Sequence, residues 1–349
     1  MRKIGIFTLN GNYNFGNRLQ SYALMSILRK YSYEPENIWI TTPEKFKKHT
    51  TKRVPAESVA DKKFNMFCDF TDKHLKSKHL ENVPQINPDD YEYFFVGSDQ
   101  VWNSTYPSFD PNQMLLNFSK DTQKNIAYAA SISVAEIPEE HKEIFKSGMN
   151  NFKAISVREE KGQELLNELD ASQDIQVVLD PTLVLSSNEW DEIANKPDGL
   201  NEDTKYILTC FLGEFADEHR KEINELARKN DWKVINLMDE NDPFFCSGPK
   251  EFLYLEKHAE VVFTDSFHSC VFALIYNRPF VIYDRVTEGM CPMNSRMDTL
   301  INTFKLKDRF HEGTLTENNL KYDFSEANEI LKNKQTEAIK FIEKALDLK

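Results

Sequence analysis

The chain has 349 residues, 40% hydrophobic and 28% charged, with a formal net charge of −13 at neutral pH. That length allows two ordinary domains with sizeable cores, and an acidic balance spread along the chain excludes a general nucleic-acid binder, which needs a basic footprint. The cysteines, at positions 68, 210, 246, 270 and 291, include no CxxC pair, so neither a disulfide framework nor a zinc site is suggested, no metal is expected, and reduced thiols in a cytoplasm fit best.

The first predicted element is a strand over Ile4–Leu9, behind Arg2 and Lys3. This apolar run is too short for a signal peptide core. No later segment approaches the ~20 apolar residues of a membrane span, so a cytoplasmic protein, soluble or at most peripheral, is expected. Further strands are predicted at Phe94–Val96, Ile126–Ala129, Ala154–Val157 and Val177–Leu179, with amphipathic stretches such as Leu19–Arg29 and Gly162–Leu169 between them. Strands alternating with helices indicate a parallel sheet covered on both faces. Residues 41–62, rich in Lys and Thr, read as a loop.

A polar stretch from Asn195 to Thr204, carrying Pro197 and Gly199, marks a domain connection. The alternation then restarts with strands at Tyr206–Cys210, Val234–Leu237, Val261–Thr264 and Phe280–Tyr283, and helices near 216–229, 249–257, 267–277 and 296–304. Apolar residues spaced three and four apart from Glu326 to Leu348 predict a long terminal helix that packs back on the body. The expected organisation is an α/β protein with domains at 1–195 and 205–320 and a terminal helix at 325–349.

In open parallel sheets ligands bind beyond the carboxyl ends of the strands. The residues that follow each apolar run are unusually polar here. Asn10-Gly11-Asn12-Tyr13-Asn14-Phe15-Gly16-Asn17 allows a tight turn, with Asn17 a candidate helix cap. It has neither dinucleotide nor Walker A glycine spacing. Gly97-Ser98-Asp99-Gln100-Val101-Trp102-Asn103 mixes hydrogen-bonding side chains with an aromatic, a combination that can hold sugars, although these residues alone favour a self-bonded turn at Asp99 with Trp102 anchored in the core. Arg158 ends the fourth predicted strand, where a guanidinium can grip a carboxylate or phosphate, or pair with a neighbouring Glu. Asp180-Pro181-Thr182 is an acidic turn of the usual structural kind. Asp265 or Ser266 can cap a helix whose first turn contains His268, and free N–H groups there favour an anion. Ser295-Arg296 offers a second capped helix start with a charge beside it.

Taken in order, these turns resemble the polysaccharide pyruvyl transferase family. The resemblance rests on Asn12 to Gln20, Gly97-Ser98-Asp99-Gln100-Val101-Trp102, Ser156-Val157-Arg158-Glu159, Asp180-Pro181-Thr182-Leu183 and Thr264-Asp265-Ser266-Phe267-His268, and covers most of residues 1–305. It implies two Rossmann-like domains facing each other across a cleft, the GT-B arrangement, with the terminal helix returning to the first domain. It also implies transfer of a pyruvyl group from phosphoenolpyruvate, as co-substrate and without another cofactor, to the hydroxyls of a glycan acceptor that is soluble or lipid-linked. On that reading His268 carries the proton and Arg158 clamps the anion. Asp265, Ser266, Ser269, Ser295 and Arg296 form the donor side, while Asn12, Asn17, Ser98, Asp99 and Trp102 face the acceptor. Some family members carry an arginine two residues before the histidine and a glycine directly after it. Here Ser266 and Ser269 stand there, so Arg296 or Arg278 is expected to complete the clamp. The alternatives are a GT-B glycosyltransferase using a sugar nucleotide and a non-catalytic glycan-binding protein of the same fold. Against the former, Asp265 is the only acidic side chain between Val261 and Pro279.

Overall fold

The computed structural model describes residues 2–9, 13–40, 53–106, 109–169, 172, 174–286 and 295–348. Asn12, named above on the acceptor side, lies outside the described residues.

β1 (Arg2–Phe7), β2 (Tyr33–Ile40), β3 (Ser77–Leu80), β4 (Tyr93–Val96), β5 (Asn125–Ala130), β6 (Ala154–Val157) and β7 (Ile175–Val177) form one sheet. Its order is β3-β2-β1-β4-β5-β6-β7, and every neighbouring pair is parallel. A second parallel sheet orders β8 (Tyr206–Cys210), β9 (Lys233–Asn236), β10 (Val261–Thr264) and β11 (Phe280–Ile282) as β11-β10-β8-β9. The central strands are buried along their whole length, as β4 and β10 show. That is why they read as unbroken apolar runs rather than alternating ones. The longer helices are α1 (Phe15–Lys30), α2 (Val59–His74), α3 (Glu139–Met149), α4 (Glu160–Glu168), α5 (Asp217–Asn230), α6 (Pro249–His258), α7 (Phe267–Ile275), α8 (Ser295–Phe304) and α9 (Ser325–Ala345). The molecule therefore has two Rossmann-like domains in the GT-B arrangement.

β2 and β3 escape the hydrophobic pattern, because Glu34, Pro35, Glu36 and Asn37 interrupt β2. Its buried polar side chains, Glu36 and Asn37, are tolerated because each finds a partner. The Tyr91 hydroxyl donates to Glu36 at 2.6 Å and Ser21 donates to Asn37 at 3.0 Å. The loop expected over 41–62 ends sooner, since Ser58 caps α2 in a reciprocal capping box with Asp61. β7 ends at Val177, ahead of the expected Leu179, because the chain turns there towards Asp180.

The terminal helix α9 returns to the N-terminal domain. The Tyr31 hydroxyl donates to Glu343 at 3.1 Å, Gln335 donates to the Leu183 carbonyl at 2.8 Å, and the Phe341 ring lies against Tyr128. Between the domains, Phe15 at the start of α1 stacks on Phe252 of α6 with ring centroids 4.5 Å apart, and Trp190 meets Phe272 of α7 at 5.0 Å. This apolar contact joins the two sheets through one continuous core. Among the described residues no helix is long and apolar enough to cross a membrane.

Candidate active site

Strand order reverses between β1 and β4 in the large sheet and between β8 and β10 in the small one. Beyond the carboxyl ends at such a reversal the flanking loops diverge and leave a crevice. In the N-terminal domain Asn14, not Asn17, caps α1, accepting from the Asn17 N–H at 3.1 Å. Asn17 thus falls in the first turn, and its amide donates to the Asp99 carboxylate across the crevice. Asp99 has a φ of 76° and accepts the Gln100 N–H at 2.8 Å. A carboxylate that bonds its own turn this way makes the left-handed conformation tolerable.

The hub of the site is Asp180. Its Oδ2 accepts from Ser98 at 2.7 Å and from Arg158 at 2.7 Å, and its Oδ1 accepts the Thr182 N–H and hydroxyl at 2.9 and 2.6 Å. Burial opposes its charge, but contacts with His268, Arg158 and Thr182 outweigh that penalty and hold its carboxyl well below the usual carboxylate range. The neighbouring Glu159 does not pair with Arg158. It accepts the Ile132 and Ser133 N–H groups at 2.6 and 2.9 Å and thereby fixes the loop after β5.

From the C-terminal domain, the start of α7 brings His268 to this hub. Its Nε2 stands 3.8 Å from Asp180 Oδ2 and has no hydrogen-bond partner among the described residues. The imidazole lies directly over Gly16 of α1, where a Cβ would overlap the ring. Glycine is therefore required for close approach rather than for its backbone angles. Gly16→Ala is expected to push His268 out of place and lower turnover about 100-fold while α1 is kept, since alanine favours helix. Steady-state rates alongside circular dichroism check this, and an unchanged rate would show that the ring position does not matter.

Three guanidinium groups converge here. Arg158 is buried, stacks over the Phe267 ring at 4.6 Å and has Asp99 at 3.7 Å. Arg285, after β11, donates to the Asp265 carbonyl at 2.9 Å. Arg296, in the first turn of α8, is 8% exposed, and its guanidinium makes no hydrogen bond or ion pair among the described residues. Its pKa is lowered to about 10, by burial first and then by the like charges of Arg158 and Arg285, with Asp99 and Tyr106 opposing. A buried arginine destabilised by its own kind is stabilised when an anion arrives. A cavity of about 260 Å³ adjoins the cluster, with Arg158, Asp180, Phe267, Arg296 and Thr299 in its wall. His268 does not line it and joins the cluster through Asp180.

Several expected roles change. Trp102 is fully buried, donates to the Met114 carbonyl at 2.7 Å and packs on Phe145 and Phe152, so it anchors the core and cannot face a sugar. Ser98 is likewise fully buried and committed to Asp180. Ser269 points away from the crevice, donating to the buried Glu256 of α6. Asp265 spends both oxygens on the Leu212 and Gly213 N–H groups at 2.7 and 2.8 Å, so it clamps the loop after β8 instead of holding a donor. Ser266 opens α7 without a side-chain cap, and the Ser295 hydroxyl has no partner among the described residues. Arg278 precedes β11, at the amino end of the small sheet, away from the crevice. The residues that sequence reasoning undervalued are Asp180, Arg285 and Gly16. Asp180 and Arg285 stand in turns just after an apolar run and Gly16 at the start of a helix, the only signal available.

The model of the family described as polysaccharide pyruvyl transferase matches residues 14–285. No curated protein matches the sequence. Among solved structures, UDP-GlcNAc 2-epimerase from Neisseria meningitidis, bound to UDP-GlcNAc, aligns with a TM-score of 0.51 at 13% identity, covering 99% of each chain. A putative UDP-N-acetylglucosamine 2-epimerase from Listeria monocytogenes gives 0.49 at 13% identity over 98% of this chain and 91% of that one. A glycosyltransferase from Rickettsia africae gives 0.46 at 11% identity over 99% and 98%. At such identity the Neisseria structure speaks for the fold alone. The family match takes in both crevices, including Gly16, Asp99, Arg158, Asp180, His268 and Arg285, and the chain belongs to the polysaccharide pyruvyl transferase family.

Proposed function

We propose that the protein transfers the pyruvyl group of phosphoenolpyruvate to two hydroxyls of a glycan acceptor, forming a ketal and releasing phosphate. The observation that carries this reading is the convergence of His268 with Arg158, Arg285 and Arg296 where the two crevices meet. Phosphoenolpyruvate presents a phosphate and a carboxylate, and a guanidinium cluster in a buried setting matches both.

The chemistry needs a proton at C3 and stabilisation of the charge left at C2. His268 donates that proton and a sugar hydroxyl oxygen bonds to C2, its own proton returning to the imidazole. A second hydroxyl then adds to C2 as the C2–O bond to phosphate breaks, and the proton it loses leaves with phosphate. Asp180 positions the ring and balances the imidazolium. Arg158 and Arg296 hold the phosphate, with the first-turn N–H groups of α7 and α8 beside them. The acceptor lies over the loops after β1 and β4, which Asn17 and Asp99 shape. Cytoplasmic placement and a soluble or lipid-linked acceptor go with this reading.

Arg296→Ala is expected to weaken phosphoenolpyruvate binding by about 10- to 100-fold, the range for a hydrogen-bonded charge contact. Titration calorimetry measures it. Unchanged affinity would remove Arg296 from the clamp.

A further inference from the structure

His219 and Glu222 stand one turn apart on the same face of α5, and His311 follows the bridge that pairs Phe310 with Ile282 of β11. One ligand atom from each lies within 4.8 Å of the others, and His311 Nε2 is 3.0 Å from Glu222 Oε2. Nothing in the proposed transfer uses them. We propose that His219, Glu222 and His311 form a binding site for a divalent transition metal of the zinc class.

Two imidazoles and one carboxylate are a donor set that zinc takes with a position left open. With zinc–ligand distances of about 2.0–2.2 Å, tetrahedral neighbours sit about 3.3 Å apart. One pair, His311 Nε2 and Glu222 Oε2 at 3.0 Å, is already near that spacing, and the others, within 4.8 Å, draw together on binding. The surroundings help to fix the ligands in place. The other oxygen of Glu222 accepts the Leu315 N–H, which leaves Oε2 turned to His311. The backbone N–H of His311 donates to the Ile282 carbonyl at 2.8 Å, tying this residue to the edge of the small sheet. The Tyr283 ring stacks on His311 at 4.5 Å and meets His219 at 4.8 Å, walling one side. Tyr283 itself is 5% exposed, and its hydroxyl has no partner among the described residues. The three ligands come from α5 and from the segment after β11, so a bound ion would staple together the flank of the small sheet.

The test uses the full chain, stripped with chelator and exchanged into metal-free buffer, then titrated with zinc chloride and separately with cobalt chloride. One equivalent of zinc is expected to bind by calorimetry, cobalt to develop the ligand-field absorption of a low-symmetry nitrogen–oxygen site, and the melting temperature to rise with added metal. Glu222→Gln keeps an acceptor for Leu315 and loses the charged ligand, and His311→Ala loses an imidazole. Each is expected to weaken zinc binding at least 100-fold. Circular dichroism confirms folding of both, and His219→Gln serves as the third ligand variant should His311→Ala fail to fold. No saturable binding, or binding that survives Glu222→Gln and His219→Gln unchanged, overturns the proposal and leaves a hydrogen-bonded cluster only.

Discussion

His268→Ala is expected to lower phosphate release from phosphoenolpyruvate, in the presence of acceptor, by about 10²- to 10⁴-fold, the usual worth of a positioned proton carrier. His268 enters from α7, lies over Gly16 and approaches Asp180 with a free Nε2. The substitution leaves the Arg158–Asp180 pair intact, so the domains should stay assembled and phosphoenolpyruvate should still bind. The loss should therefore fall on turnover rather than on affinity, and phosphate assays beside calorimetry separate the two. A variant that turns over at the wild-type rate would falsify the role of His268. A wild-type protein that releases no phosphate with any glycan acceptor would remove the transferase reading itself.

The second large effect is on stability. Asp180→Ala removes the group on which Ser98, Arg158 and Thr182 converge and leaves Arg158 buried with Asp99 as its nearest counter-charge, 3.7 Å away. Breaking a buried pair by deleting one partner costs about 3–5 kcal/mol, because a desolvated charge is left behind. Denaturant titration should show a midpoint lowered accordingly, and a change under about 1 kcal/mol would mean that water or Asp99 compensates Arg158 fully. The pH dependence carries the same signature. The native carboxyl of Asp180 is depressed below its unfolded value of about 3.9. Its contribution is therefore complete above that value and is lost as pH falls through it towards the native one. Asp180→Asn, which removes the titrating group, should flatten the loss of stability below about pH 4–5 relative to wild type.

Most strands were legible because they are buried on both faces, so β4, β6, β8 and β10 appear as bare apolar runs. β2 was not, since its stability rests on Tyr91 and Ser21 satisfying polar groups that local sequence can only count as breakers. At the site, Arg158 and His268 were visible as chemical types at strand ends. Their partners were not. Glu159 is adjacent to Arg158 in sequence, yet it bonds the loop after β5, and the true partner, Asp180, comes from another strand end. The motif around Trp102 leaves a core anchor and a sugar contact both open and burial decides for the core, while Ser269 looks functional in its motif and is bonded to Glu256.

Hydrophobic period and turn chemistry are local properties, so the alternation of strands and helices and the polar turns after the strands can be read along the chain, and the connection near residues 195–204 is an expectation of the same kind. Which of those turns meet depends on strand order and on the packing of the two domains. The clustering of Arg158, Arg285 and Arg296, the contact of His268 with Gly16 and Asp180, and the grouping of His219, Glu222 and His311 all join residues far apart in the chain. Such contacts are set by strand order and domain packing, where burying apolar surface such as Phe15 on Phe252 outweighs the cost of crowding charges together.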